Sequence, residues 1–313
     1  MTRIGARSQP YDVVIVGGGP AGLSAALVLG RARRRVLVCD DGRPRNAASL
    51  GIHGFLSRDG LRPLELRRIA WRELRPYGVE ARDGTVLGVD RGAPGFRVRV
   101  QGATLHARKV LIATGVLDVL PRIEGLAAFY GRGVHHCPYC DGWEVRDHAL
   151  AALGHGPRAA AMGLKLTAWS ANVVLLTNGP SRLGVRDRGQ LATAGVRVLT
   201  RRIARLEGGR GRLARVVFED GSVEARDALF FAGGHRQHSP LAARLGCRMS
   251  AQGQVLTDRL QHTNVPGLFS AGDATHDVHF VVVAAAEGAK AAVAIHHQLM
   301  DEDRARFGAA RPR

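Results

Sequence analysis

The stretch YDVVIVGGGPAGLSAALVLGRARRRVLVCD, residues 11–40, decides the fold. Its first six residues, Tyr11 to Val16, form an apolar, β-branched run with no alternation, as suits a parallel strand covered on both faces. Gly17-Gly18-Gly19-Pro20-Ala21-Gly22 follows, then a small-residue helix over 23–30 and a second strand over 35–39 that ends at Asp40. Strand, glycine turn, helix and strand in this order make the dinucleotide-binding fingerprint in its required setting. The glycines permit a tight turn and let the backbone approach a pyrophosphate, whose charge is favoured at the helix N-terminus. Asp40, 18 residues beyond Gly22, is placed to bond a ribose hydroxyl.

Working outward, the same pattern returns 137 residues later. Gly17, Gly19, Pro20 and Gly22 map onto Gly154, Gly156, Pro157 and Ala159 at that one offset, between a strand at 149–153, a helix at 160–169 and a strand at 173–176. The offset carries Asp40 onto Thr177, so the second unit lacks the acid that chelates an unphosphorylated ribose. Arg182, Arg186 and Arg188 follow, either to receive a 2′-phosphate or as a solvated arginine-rich loop. Two such units in 313 residues match the usual ~150 residues per domain. The expected fold is α/β, with two Rossmann-like, doubly wound, three-layer nucleotide-binding domains.

Two shorter pieces complete the first unit. Val110-Leu111-Ile112-Ala113-Thr114-Gly115 is a strand ending in small residues, where chain and cofactor can come close. Residues 268–272 form another strand, ending at Gly272 and Asp273, before an alanine-rich helix over 280–295 with Gly288 inside it. Asp273 either bonds a flavin's ribityl chain or caps that helix. The polar residues 302–313 read as a frayed tail without a role.

The chemistry is concentrated in His135-His136-Cys137-Pro138-Tyr139-Cys140-Asp141-Gly142-Trp143. CxxC spacing lets two sulfurs close a small ring and lowers one thiol's pKa, so that a thiolate forms near neutrality. Structural zinc needs four ligands, and there is no second CxxC. Cys39 and Cys247 stand singly on apolar stretches and read as buried thiols. Cys-Pro-Tyr-Cys also occurs in glutaredoxin-type proteins, but near the N-terminus rather than between two dinucleotide units. Asp141 either shuttles a proton or caps the turn at Gly142. His135 and His136 are either bases for a substrate thiol or polar positions lining a turn.

Charge is the loudest compositional feature, at +18 from 45 basic and 27 acidic residues. Only Lys109, Lys165 and Lys290 are lysines, and the arginines are scattered rather than striped, which makes a nucleic-acid partner the weaker reading. Four cysteines exclude a disulfide-stapled secreted scaffold. The uncharged run over 13–30 is broken by its glycines and reads as strand and helix rather than membrane anchor; a soluble, cytoplasmic protein is expected.

The order GGGPAG, ATG, CxxCDG, GxGxxA and AGDA, from about Tyr11 to Leu299, resembles the low-molecular-weight thioredoxin reductases, class II pyridine nucleotide-disulfide oxidoreductases. The resemblance implies an FAD domain built from 1–117 and 248–313, with an NAD(P)H-binding-like domain, 118–247, inserted in it and carrying the cysteines. It implies FAD at Gly17, Gly19, Pro20, Ala21, Gly22, Asp40, Asn46, Ala113, Thr114, Gly115, Gly272 and Asp273, and NADPH at Gly154, Gly156 and Ala159. It further implies a homodimer, with Cys140 nearest the flavin, Cys137 exchanging with substrate and Asp141 as general acid; His136 beside them is a candidate base in its own right.

Three features depart from the reductases. Thr177-Asn178-Gly179 stands where they carry His-Arg-Arg, the polar pair they have around His279 and Phe280 is missing, and two histidines precede the cysteines. These features resemble a branch that includes dithiol oxidases of natural-product pathways, which pass electrons from a small dithiol through FAD to oxygen. The leading expectation is the reductase direction, from NADPH through FAD and Cys137–Cys140 to a thioredoxin-like protein or small disulfide. The alternative is the oxidase, and the third reading is a non-catalytic, nucleotide-sensing or nucleic-acid-binding flavoprotein.

Overall fold

A computed structural model describes residues 9–93, 95–275 and 278–309. In chain order the first elements are β1 (Tyr11–Val16), α1 (Pro20–Arg31), β2 (Val36–Asp40), α2 (Pro63–Leu74), β3 (Glu80–Asp83), β4 (Val86–Gly92), β5 (Gly95–Val100), β6 (Ala103–Ile112) and β7 (Val116–Asp118). Next come α3 (Leu126–Phe129), β8 (Val134–His135), α4 (Pro138–Asp141), β9 (Leu150–Leu153), α5 (Gly156–Leu166), β10 (Val173–Leu176), α6 (Val185–Thr193) and β11 (Arg197–Leu199). The remainder are β12 (Ile203–Gly209), β13 (Arg212–Phe218), β14 (Val223–Ala225), β15 (Ala228–Phe231), β16 (His235–Gln237), α7 (Leu241–Arg244), β17 (Leu268–Ser270) and α8 (Val281–Ala309).

The chain divides into two compact units. The first runs to Ala47, resumes over Pro63–Leu117 and returns at Arg236; the second takes Ala48–Arg62 and Asp118–His235. The return was expected at 248. It comes at Arg236 because Leu241, Ala242 and Cys247 pack with Val14, Val16 and Val110 in the first unit's core.

Among the described residues, the first sheet runs β3-β2-β1-β6-β5-β4, with β17 also on β6. β3, β2, β1, β6 and β17 are parallel, and Val14 pairs with both Leu37 and Val110. Every residue of β1 except Asp12 is buried, which explains its unbroken apolar run. Strand order reverses between β1 and β6, and in open α/β sheets ligands bind beyond the strand ends at that switch point. α1 and α8 cover one face through Ala25, Ala26, Leu29, Ala291, Ala292 and Ile295. They approach closely, since a Cβ on Gly288 would come within 2.9 Å of Ala21 Cα.

The second sheet, β11-β10-β9-β15-β8, is parallel throughout and repeats the same order, with its reversal between β9 and β15. α5 and α6 pack on one face, and the antiparallel β12-β13-β14 with α3 on the other.

Two helices start earlier than the sequence suggests, at Pro20 and Gly156, because proline is already accommodated in the first helical turn. α8 is also much longer than the expected 280–295, and 302–309, expected as part of a tail without a role, are helical. Asp303 pairs with Arg34 at 2.7 Å, Glu302 pairs with Arg108 at 2.8 Å, and Lys109 also holds Glu302. These anchors explain why a polar sequence stays helical. Residues 310–313 lie outside the described residues.

Candidate active site

The first glycine turn closes on the strand ends behind it. Gly17 takes φ +108°, its amide donates to Cys39 O at 2.8 Å, and a Cβ there would overlap the Ala113 carbonyl. Ala113 in turn donates to Val16 O at 2.8 Å, so the Ala113-Thr114-Gly115 segment lies flush against the turn. The Thr114 hydroxyl oxygen is buried, with no hydrogen-bond partner among the described residues. A Cβ on Gly19 would meet nothing within 4 Å. Asp40 accepts from the Gly18 amide at 3.1 Å and from Arg67. A carboxylate has about four acceptor sites, so two bonds leave room for a ribose hydroxyl. An open backbone turn, an orphaned hydroxyl and an anchored acid fit the sugar and pyrophosphate of a dinucleotide such as FAD.

Asp273 does not cap α8, which begins beyond it at Val281. Its Oδ2 accepts from Arg45 at 2.8 Å, beside half-buried Asn46. The Gly272 amide and the Thr275 hydroxyl both donate to Glu287 Oε2, at 2.6 and 2.9 Å. Arg45, Arg67 and Glu287 escaped sequence reasoning because each reaches its partner from a distant element. Only a half-buried arginine pattern on α2 could have hinted at Arg67.

The second glycine turn is built alike but filled differently. Gly154 donates to Leu176 O at 3.0 Å, as Gly17 does to Cys39 O. Ala232 donates to Leu153 O at 2.8 Å, the counterpart of Ala113, and Ala232-Gly233-Gly234 after β15 was a small-residue signal available in the sequence. Here the Gly156 amide donates to Ser181 O at 2.8 Å, and Arg182 O lies 3.8 Å from where a Gly156 Cβ would sit. Buried Thr177 turns its hydroxyl onto Gly179 O at 2.6 Å. Arg188 bonds Ser181 Oγ at 2.9 Å, while Arg182 and Arg186 are exposed. The Gly156 amide and the Thr177 hydroxyl, two of the groups that would meet a dinucleotide, are thus already bonded within the loop after β10. They fit an NADPH dinucleotide less well than the first turn fits FAD. Ala159 sits inside the first turn of α5, buried against the sheet.

Cys137 and Cys140 form a disulfide, with Cα atoms 5.3 Å apart, across the one-turn helix α4. The Cys140 and Asp141 amides both donate to Cys137 O at 3.2 Å, which winds the turn. Gly142 follows because a side chain there would meet the Trp169 ring at 2.9 Å. Tyr139 and Trp143 are 62% and 65% exposed beside the cysteines. Lys165 lies over the Tyr139 ring and Arg146 over that of Trp143, at 5.3 and 4.0 Å. Asp141 Oδ1 stands 3.3 Å from Nδ1 of His135. His136 instead lies 3.5 Å from the Tyr130 hydroxyl, which donates to Asp118 at 2.5 Å. Cys39 and Cys247 are buried and free. Burial pushes the Cys39 thiol up to about 11 and raises that of Cys247, so both stay protonated and unreactive at neutral pH.

No helix among the described residues is long and apolar enough to cross a membrane. The profile of the family described as pyridine nucleotide-disulphide oxidoreductase matches residues 11–288. The thioredoxin reductase tcpT of Claviceps purpurea is 34% identical over 85% of this chain and 87% of its own. The thioredoxin reductase sirT of Leptosphaeria maculans is 30% identical over 94% and 96%. Among solved structures, that of HlmI superposes with a TM-score of 0.92 at 40% identity, covering 96% of both chains. The oxidoreductase from Agrobacterium tumefaciens gives 0.87 at 34% identity, over 93% of this chain and 99% of that one. Thioredoxin reductase-like members use FAD and NADPH. The chain belongs to the pyridine nucleotide-disulphide oxidoreductase family, as a thioredoxin reductase-like flavoprotein oxidoreductase.

Proposed function

We propose that this chain is an FAD-dependent thiol–disulfide oxidoreductase working in the dithiol-oxidising direction. It closes a disulfide in a small dithiol through Cys137–Cys140 and passes the electrons to dioxygen. The contrast between the two glycine turns carries the direction: the Gly19 turn is open, whereas the Gly156 amide is bonded to Ser181 O. In this reading the first unit binds FAD through Gly17, Gly19, Pro20, Ala21, Gly22, Asp40, Asn46, Ala113, Thr114, Gly115, Gly272 and Asp273. The second unit keeps a nucleotide-domain frame whose main task is to present the cysteines. The working form is a cytoplasmic homodimer, which light scattering after gel filtration tests.

The steps balance as follows. A substrate thiolate attacks Cys137 Sγ, the Cys137–Cys140 bond breaks, and Cys140 leaves as a thiolate. The second substrate thiolate attacks its own mixed-disulfide sulfur and releases Cys137. The substrate has lost two electrons and two protons. FAD, when bound, would supply the two-electron acceptor chemistry by which the Cys137–Cys140 disulfide is restored, with dioxygen as the final oxidant. The sum is dithiol plus dioxygen to disulfide plus hydrogen peroxide. Asp141 takes and returns the protons.

The reductase direction is the second reading, favoured by the fully formed glycine turn of α5 and by exposed Arg182 and Arg186. Anaerobic stopped-flow separates the two. Dithiothreitol should bleach the flavin and NADPH should not; rapid bleaching by NADPH would overturn the oxidase reading in favour of the reductase.

A further inference from the structure

His135 ends β8, in register with Phe230 of β15, and its ring stacks on Phe230 with centroids 5.2 Å apart. The residue is only 6% exposed, and neither ring nitrogen has a hydrogen-bond partner among the described residues. Leaving a buried polar group unpaired costs about 1–3 kcal/mol, so such a group calls for a reason. Asp141 supplies one: its Oδ1 is 3.3 Å from Nδ1, within ion-pair reach but off the line of a good hydrogen bond, and its side chain is 19% exposed. A small rotation of the carboxylate makes the bond. The two groups can then hold one proton between them, as carboxylate with imidazolium or as carboxylic acid with imidazole.

We propose that His135 is a positioning residue for thiol–disulfide exchange: it holds the Asp141 carboxylate beside the cysteine pair so that Asp141 can take the proton of an attacking thiol. The inference rests on the reading that Cys137–Cys140 exchanges with a thiol, though not on which way the electrons then travel. The thiol S–H gives its proton to Asp141, and the thiolate forms a bond to Cys137 Sγ. The Cys137–Cys140 bond breaks, and Cys140 keeps the electron pair. Without the imidazole, the mostly buried carboxylate loses the group that holds it beside the cysteines, and it meets the thiol proton in a poorer orientation.

Other charges near α4 do not substitute. Lys165 and Arg146 lie over the exposed rings of Tyr139 and Trp143, and Glu144 is 3.5 Å from His53 Nε2. Such solvated charges are screened. His136 faces Tyr130, which bonds Asp118, and Phe231.

The test follows the rate at which dithiothreitol reduces Cys137–Cys140 in the FAD-loaded protein, by acid quench, alkylation and mass spectrometry from pH 5.5 to 9.5. That readout needs neither oxygen nor NADPH, so it stands apart from the failure of either direction, which oxygen uptake reports. The His135→Phe variant should be slower by about tenfold near pH 6, as for a general base partly lost, and should converge with the parent at alkaline pH, where the attacking thiol ionises without a base. His135→Gln, which keeps an N–H donor and serves should the phenylalanine variant misfold, should fall between. An equal slowing at every pH, or none, in either variant would reduce His135 to a packing ring and overturn the proposal.

Discussion

Gly19→Ala separates a glycine kept for the fold from one kept for a ligand. Gly19 has φ −82° and ψ −175°, an extended conformation open to any residue, and an added Cβ meets nothing within 4 Å. The ~0.4–1 kcal/mol expected from a stiffer unfolded chain is offset by alanine's poorer fit at the N-cap of α1, so the Tm of the apoprotein should stay within about 2 °C of the parent. The new methyl stands where a pyrophosphate must approach the backbone. A phosphate oxygen pushed back by about 1 Å loses one hydrogen bond to an amide, worth ~1.5–3 kcal/mol for a charged acceptor. FAD affinity should then fall about 10- to 100-fold. Flavin fluorescence titration of the apoprotein gives the Kd, and differential scanning calorimetry gives the Tm. A Gly19→Ala variant that binds FAD within twofold of the parent would refute the assignment of this turn.

Three further outcomes can be checked. Gly288→Ala should have the opposite profile, since its Cβ would come within 2.9 Å of Ala21 Cα; overpacking of ~1–3 kcal/mol should lower the apo Tm by several degrees, and an unchanged Tm would contradict the α1–α8 contact. Cys140→Ser should abolish turnover, because a lone Cys137 thiol offers a substrate thiolate no disulfide to attack; oxygen uptake with a dithiol at the parent rate would contradict the role of the pair. Acid should loosen the C-terminal turns of α8 first. Arg34 holds the Asp303 carboxyl below its usual range; for Glu302, burial pulls upward but the bonds from Lys109 and Arg108 win. A depressed folded-state pKa contributes stability above the ordinary carboxylate value that fades as pH falls through the folded value, so protection of these amides against hydrogen exchange should weaken below about pH 4.

Much of this was legible from local pattern. β1, the glycine turn and β2 follow from a buried run, positive φ at Gly17 and an acid at a strand end, all encoded within thirty residues. The second copy was legible because its glycines repeat the spacing. What escaped notice was carried by long-range pairing. Arg67 reaches Asp40 across 27 residues, Arg34 reaches Asp303 across 269, and no window in the sequence holds both partners. Gly156 shows the same limit: its motif announces a nucleotide turn, but only the folded loop reveals Ser181 on its amide. Of two adjacent histidines, the pattern could not say which would face Asp141, since that depends on which side of edge strand β8 each one takes.

The allegiance of residues 48–62 has a consequence for how the protein can be made and cut. The chain changes unit at four places, after Ala47, Arg62, Leu117 and His235, so neither unit is a continuous module. Ile52 is buried, His53 lies 3.5 Å from Glu144, and Gly131 has no room for a side chain beside Ala48. During synthesis this short segment emerges well before the residues it will pack against, and it must wait for them while its flanks are already folding. A gene fragment that starts at Asp118 and stops at His235 would deliver the cysteine pair with part of its packing missing. Supplying 48–62 as a separate peptide or a grafted loop is the way to make that fragment whole.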